Sequence, residues 1–128
     1  MTSRDDIDAF IFFGTDTENF PFPMVPTDKL ERAIKDYGEE DVERAYFIDH
    51  LHDSELHKQG VRWYKMCSWH EHDDEKDYIG IQIAENCNCY GRATELHDFM
   101  EKVKQAEEKW KQLFPDIPGR LFLISEAC

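Results

Sequence analysis

The sequence predicts an α+β fold: a ferredoxin-like split βαβ sandwich, with a four-stranded antiparallel sheet and helices on one face. Three observations lead there. Runs rich in β-branched and aromatic residues stand at 7–13, 61–69, 78–83 and 121–124. Apolar residues at helical spacing fill the intervals before the second run and before the fourth. A short charged stretch, His70 to Asp77, separates the second and third runs and reads as a hairpin turn. With 41% hydrophobic and 13% aromatic residues, the 128-residue chain is read as a single domain, 1–128, with enough apolar material for a core.

The elements follow in order. Ile7–Phe13 is apolar enough for a central strand, and Gly14–Asn19 reads as a loop. Phe20-Pro21-Phe22-Pro23-Met24-Val25-Pro26 is expected to be an extended crossover, because three prolines remove backbone donors. It should bury Phe20 and Phe22, and it is one candidate to cover the sheet face that the helices leave open. Thr27 is the expected cap of a helix with Leu30, Ala33, Ile34 and Tyr37 on its apolar face and Gly38 as its stop. Glu39-Glu40-Asp41 opens a second helix, where acids suit the positive end. Its continuation, Tyr46–His52, also fits an edge strand. Leu56 is expected to tuck inward.

A hairpin turn centred near Asp74 and Glu75 makes opposite residue numbers sum to about 149 or 150. On the latter register Trp63 faces Cys87, Lys65 faces Glu85, Cys67 faces Ile83 and Trp69 faces Ile81. Alternation then puts Trp63, Cys67, Trp69, Ile79, Ile81, Ile83 and Cys87 on a core face. Tyr64, Met66, Ser68, His70, Tyr78, Gly80, Gln82 and Ala84 share the other. Thr94 is the expected cap of a last helix with a stripe of Leu96, Phe99, Met100, Val103, Ala106, Trp110, Leu113 and Phe114. Pro115 stops it, and Leu121–Ile124 is the final strand.

Charge dominates the functional reading. The net charge is −13, from 28 acidic and 15 basic residues. Asp36, Glu39, Glu40, Asp41, Glu43, Asp49, Asp53 and Glu55 are set against Arg44 alone, and Glu71, Asp73, Asp74, Glu75 and Asp77 against Lys76 alone. Such a field repels nucleic acid and anionic membrane and attracts basic protein surfaces. The plainer account of the same acids is solubility. No membrane-length apolar run and no basic-then-apolar leader is present, so a cytoplasmic chain with reduced cysteines is expected.

Catalytic signatures are missing: there is no Gly-rich phosphate loop, nucleophile elbow or His-Glu-x-x-His. Cys67, His70, His72, Cys87 and Cys89 are numerous enough for zinc, but Cys67 and His70 point to opposite faces of a strand. On the predicted register Cys87 lies more than about 10 Å from Cys67. No metal or cofactor is therefore expected, and Cys67 and Cys87 read as small buried hydrophobes. Asp49-His50-Leu51-His52-Asp53 loosely resembles the His-x-His-x-Asp-His element of metallo-hydrolases, but Asp53 directly follows His52 and Glu55 stands near the last His position.

In size, charge and expected fold the chain resembles small acidic inhibitors: phage anti-defence proteins, nucleic-acid mimics and toxin immunity proteins. The resemblance is one of class and implies a non-catalytic protein whose thirteen named acids dock onto a basic, nucleic-acid-binding or nuclease partner, in a bacterial host cell if the chain is phage-encoded. Direct nucleic-acid binding is not expected. The main alternative is a module that binds a small ligand or a second copy through an open sheet face carrying Tyr64, Met66, His70 and Tyr78. A metal protein using His50, His52, His70 and His72 is a third reading.

Overall fold

The computed structural model describes residues 7–65, 76–87 and 93–127. Strand β1 (Ile7–Asp16) runs through the interior of the sheet, between β3 (Asp77–Cys87) and β4 (Arg120–Ala127). Strand β2 (Val61–Lys65) pairs with the far side of β3. The order is β2-β3-β1-β4, and every neighbouring pair is antiparallel. Hence β1 and β2 run parallel with β3 between them, and β3 and β4 run parallel with β1 between them. The α+β class is as expected.

Strand β1 continues three residues beyond Phe13, through the stretch expected as a loop. Glycine explains the extension. Gly14 lies directly opposite Gly80, and with no side chain on either residue the backbones approach closely. The ring of Phe12 lies against Gly80 and fills the space on that face.

Helix α1 (Thr27–Tyr37) packs on α2 (Val42–His50), which settles residues 42–50 as helix rather than edge strand. Leu30, Ala33, Ile34 and Tyr37 of α1 meet Val25, Val42 and Tyr46, as helical spacing predicts. Pro26, not Thr27, occupies the N-cap of α1, with no side-chain cap; its carbonyl accepts from the Lys29 N–H at 2.9 Å. Gly38 closes α1 at φ 89°, a left-handed region that disfavours other residues. A 3-10 turn (Leu51–Asp53) and the short helix α3 (Glu55–Lys58) lead into β2. Helix α4 (Phe99–Leu113) begins five residues after Thr94, with Asp98 at its N-cap.

The helices share one sheet face. There Phe13, Val61, Ile79 and Ile81 from the sheet meet Phe20, Leu51, Ala106 and Trp110, with Phe47 and Leu56 against them. The Phe-Pro crossover lies on this helical side: Phe20 packs on Phe22, Phe47 and Phe114. It therefore does not cover the opposite face. Trp110 is buried, and its indole N–H donates to the Ile117 carbonyl at 2.7 Å, which ties α4 to the turn before β4. Leu96 and Met100, expected in the core stripe, are exposed instead. Leu96 precedes the helix, and α4 packs chiefly over β3 and β1.

On the opposite face Phe12, Tyr64 and Ile124 are buried, with Phe10, Tyr78 and Phe122 around them. Phe12 and Tyr64 stack at 4.3 Å.

The hairpin register differs from expectation. Val61 faces Ile81, Trp63 faces Ile79, Tyr64 faces Tyr78 and Lys65 faces Asp77. Opposite numbers therefore sum to 142, not 150. The shift of eight is even, so the paired residues 61–65 and 77–81 keep their predicted faces while their partners change. The observed alignment sets buried Val61 on buried Ile81. Cys67, Ser68, Trp69 and the predicted turn at Asp74–Glu75 lie outside the described residues. A bulge leaves Ile83 extra in β3, since Ile11 pairs with Ala84 and Phe12 with Gln82. Ala84 is thereby turned to the helix side with Ile11, away from Tyr64.

Gly14→Ala should cost about 3 kcal/mol or more, because the new Cβ would overlap the Ile79 carbonyl and the Gly80 Cα. Urea unfolding measures this, and a loss below about 0.5 kcal/mol would contradict the close pairing of the two strands.

Candidate acidic interface

The acids of the first predicted window are carried by the α1–α2–α3 layer. Asp36 ends α1 next to Tyr37, Glu39 to Asp41 form the connection, Glu43 and Asp49 lie on α2, and Asp53 and Glu55 bracket the turn into α3. All eight are exposed. The local pattern explains why: Val42, Ala33 and Leu51 take the inward positions, and the acids fall between them. Asp36 and Glu55 sit beside Arg32 at 3.4 Å and Lys58 at 3.6 Å, pairs too exposed to weigh heavily.

The base of this window points elsewhere. Arg44 ion-pairs with Asp77 and also reaches Asp41 at 3.3 Å. Asp77 is buried at the start of β3 and accepts from two further donors: the Thr17 hydroxyl at 2.5 Å and the Trp63 indole N–H at 2.8 Å. One carboxylate thus gathers a turn after β1, helix α2, strand β2 and strand β3. Three donors offset the cost of burying its charge. Asp77, grouped with the partner-binding acids on sequence, is therefore withdrawn from the surface by its own hydrogen bonds. Glu71, Asp73, Asp74 and Glu75 lie outside the described residues.

Trp63 also departs from expectation. It lies on the predicted core face but is 37% exposed, since β2 is an edge strand. Its bond to Asp77 gives its polar atom a partner.

Tyr64 and Tyr78 do share a face, as predicted, but Tyr64 is buried and cannot serve as an open contact. Its hydroxyl donates to Gln82 at 3.1 Å. Burial pushes its pKa above the ordinary tyrosine range, against the pull of Arg62. Tyr78 is half-buried against Phe12 and Phe122. Met66 and His70 lie outside the described residues.

On the acidic layer the Tyr37 hydroxyl donates to Asp49, and chiefly through that bond its pKa is raised to about 12. His50 stacks on Tyr46 at 4.1 Å, with its Nδ1 2.8 Å from the Tyr46 carbonyl. His52 lies beside Asp53 at 3.5 Å. Among the described residues no cluster of three or more His, Cys, Asp or Glu side chains is arranged to hold a metal. His72, Cys67 and Cys89 are outside them. No helix among the described residues is long and apolar enough to cross a membrane. No family model, curated protein or solved structure matches the chain.

The Asp77 junction was missed on sequence because its donors come from positions 17, 44 and 63, which no local spacing relates. The one local signal was Arg44, an isolated base among eight acids.

Asp77→Ala should destabilise the protein by about 3 kcal/mol, because it strands a part-buried guanidinium and two other donors. Exposed Glu43→Ala should stay within about 0.5 kcal/mol of wild type. Equal effects in urea unfolding would contradict the assignment of Asp77 to the scaffold.

Proposed function

We propose that the chain is a non-catalytic inhibitor whose acidic helical layer docks onto the basic, nucleic-acid-binding surface of another protein in the cytoplasm. The observation that carries this reading is the division of labour at residues 36–55. Eight acids face solvent, while Arg44, the base among them, turns inward to Asp77. Between residues 36 and 55 the acids thus outnumber a single base that is shared between Asp77 and Asp41, while Arg32 and Lys58 flank the patch beside Asp36 and Glu55. Net negative charge serves solubility wherever the acids lie, and it is their concentration in residues 36–55 that supports a docking face.

Glu39, Glu40, Asp41 and Glu43 form the densest part of the layer and are the proposed centre of contact, with Asp36, Asp49, Asp53 and Glu55 around them. A field of this kind speeds encounter with a basic surface and weakens as salt screens it. The same charge argues against direct contact with nucleic acid. We further propose that the fold is of the ferredoxin-like split βαβ type. Support comes from the two interleaved crossovers, β1 through α1–α3 to β2 and β3 through α4 to β4.

The test compares immobilised wild-type protein with a Glu39→Lys, Glu40→Lys, Glu43→Lys variant as bait in bacterial lysate. Wild type should retain a basic protein at about 50 mM salt and release it at about 500 mM. The variant should retain none of it. Equal retention by both baits, with equal salt dependence, would refute the acidic-face reading.

A further inference from the structure

Strand β4 forms the edge of the sheet opposite β2, and no described element pairs with its outer side. Its sequence, Arg120 to Ala127, contains no proline and no lysine, the usual devices that keep an edge strand from pairing. On its helix-side face Leu121 and Leu123 are 47% and 70% exposed. Leu96 and Met100 are exposed on the same helical side, again without cover. Leu123 and Leu96 line a groove of about 190 Å³ with Ala9, Ile11 and Ala84. From Leu121 to Ile124 this is an apolar edge without proline or lysine, beside an apolar groove.

We propose that this edge pairs with β4 of a second copy of the chain, antiparallel and about a two-fold axis at Leu123, to form a continuous eight-stranded sheet. Charge selects this occupant. Strand β4 carries one base, Arg120, and one acid, Glu126, so the edge has no net charge in a chain of net charge −13. The acidic layer lies over the other end of the sheet, joined to β2 and β3 through Trp63 and Asp77. Pairing at β4 would hold the two β2 strands about 34 Å apart, seven strand spacings, far beyond the Debye length of about 8 Å. Two strongly acidic molecules can therefore meet here with little mutual repulsion.

The register is self-complementary. An axis at Leu123 sets Leu123 against itself, Phe122 against Ile124, Leu121 against Ser125 and position 120 against position 126, Arg against Glu in the sequence. It engages seven of the eight strand residues. Moving the axis to Phe122 would pair five and set Arg120 against Ile124. In the proposed register the two Leu123 side chains meet on the axis, and the grooves they line adjoin across the seam. This inference does not depend on the acidic-face reading, which concerns the opposite end of the sheet.

The test is the mass of the full chain in solution by light scattering at about 100 μM, a concentration at which a dissociation constant near 1 μM leaves mostly dimer. The 15.2 kDa chain should elute as a dimer of about 30 kDa. Leu123→Lys should raise the dissociation constant more than about tenfold with its circular dichroism unchanged. A second pair of variants covers the case in which that protein fails to fold. Leu123→Cys should form an intermolecular disulfide under mild oxidation beyond the wild-type background, because opposite residues of an antiparallel pair lie within disulfide reach. Leu121→Cys should not, since two copies of position 121 would be more than about 12 Å apart. A monomeric wild type would overturn the proposal and leave the edge to an extended segment of another protein. Equal cross-linking of both cysteine variants would overturn the register.

Discussion

The buried carboxylate of Asp77 is the point through which the layers of this molecule are joined. It receives a hydroxyl from the turn after β1, an indole N–H from β2 and a guanidinium from α2. The apolar core alone would hold the helical layer against the sheet, since Phe13, Val61, Ile79 and Ile81 present a continuous greasy face to Leu51, Ala106 and Trp110. Hydrophobic burial is non-directional, however. A charge taken from water and met by three donors at fixed geometry adds position: it specifies where α2 sits relative to the β2–β3 pair.

That junction also shapes the electrostatic surface. Arg44 is shared between buried Asp77 and Asp41, so it offsets few of the acids of residues 36–55, all eight of which are exposed. The acidic layer then occupies one end of the sheet, near β2, while the neutral apolar edge of β4 occupies the other. Two surfaces of different character are thus separated by the width of the sheet.

Much of the architecture was legible in the sequence because it rests on local periodicity. The faces of α1 and of the β2–β3 strands followed from spacings of three to four and of two, and Gly38 marked the end of α1. What failed depended on contacts distant in the chain. The hairpin register was set by an assumed turn near Asp74, whereas the observed pairing joins Val61 to Ile81 and Lys65 to Asp77. Strand β1 overran its predicted end because Gly14 meets Gly80, a pairing invisible from either residue alone. The stripe of α4 included Leu96 and Met100 correctly by hydrophobicity and wrongly by burial, since the sequence does not say how far a helix reaches across a sheet. Of the thirteen acids named as contacts, eight are at the surface in one layer, while Asp77 was assigned by charge and serves the scaffold.

The most direct test of this account is a double-mutant cycle between Arg44→Met and Asp77→Asn, read by urea unfolding. The two side chains are bonded, so the separate losses should exceed the loss in the double variant by at least about 1 kcal/mol, even though Arg44 is partly exposed. Losses that add to within about 0.3–0.5 kcal/mol would show that the pair is not coupled, and that Arg44 is free to offset the acids around it.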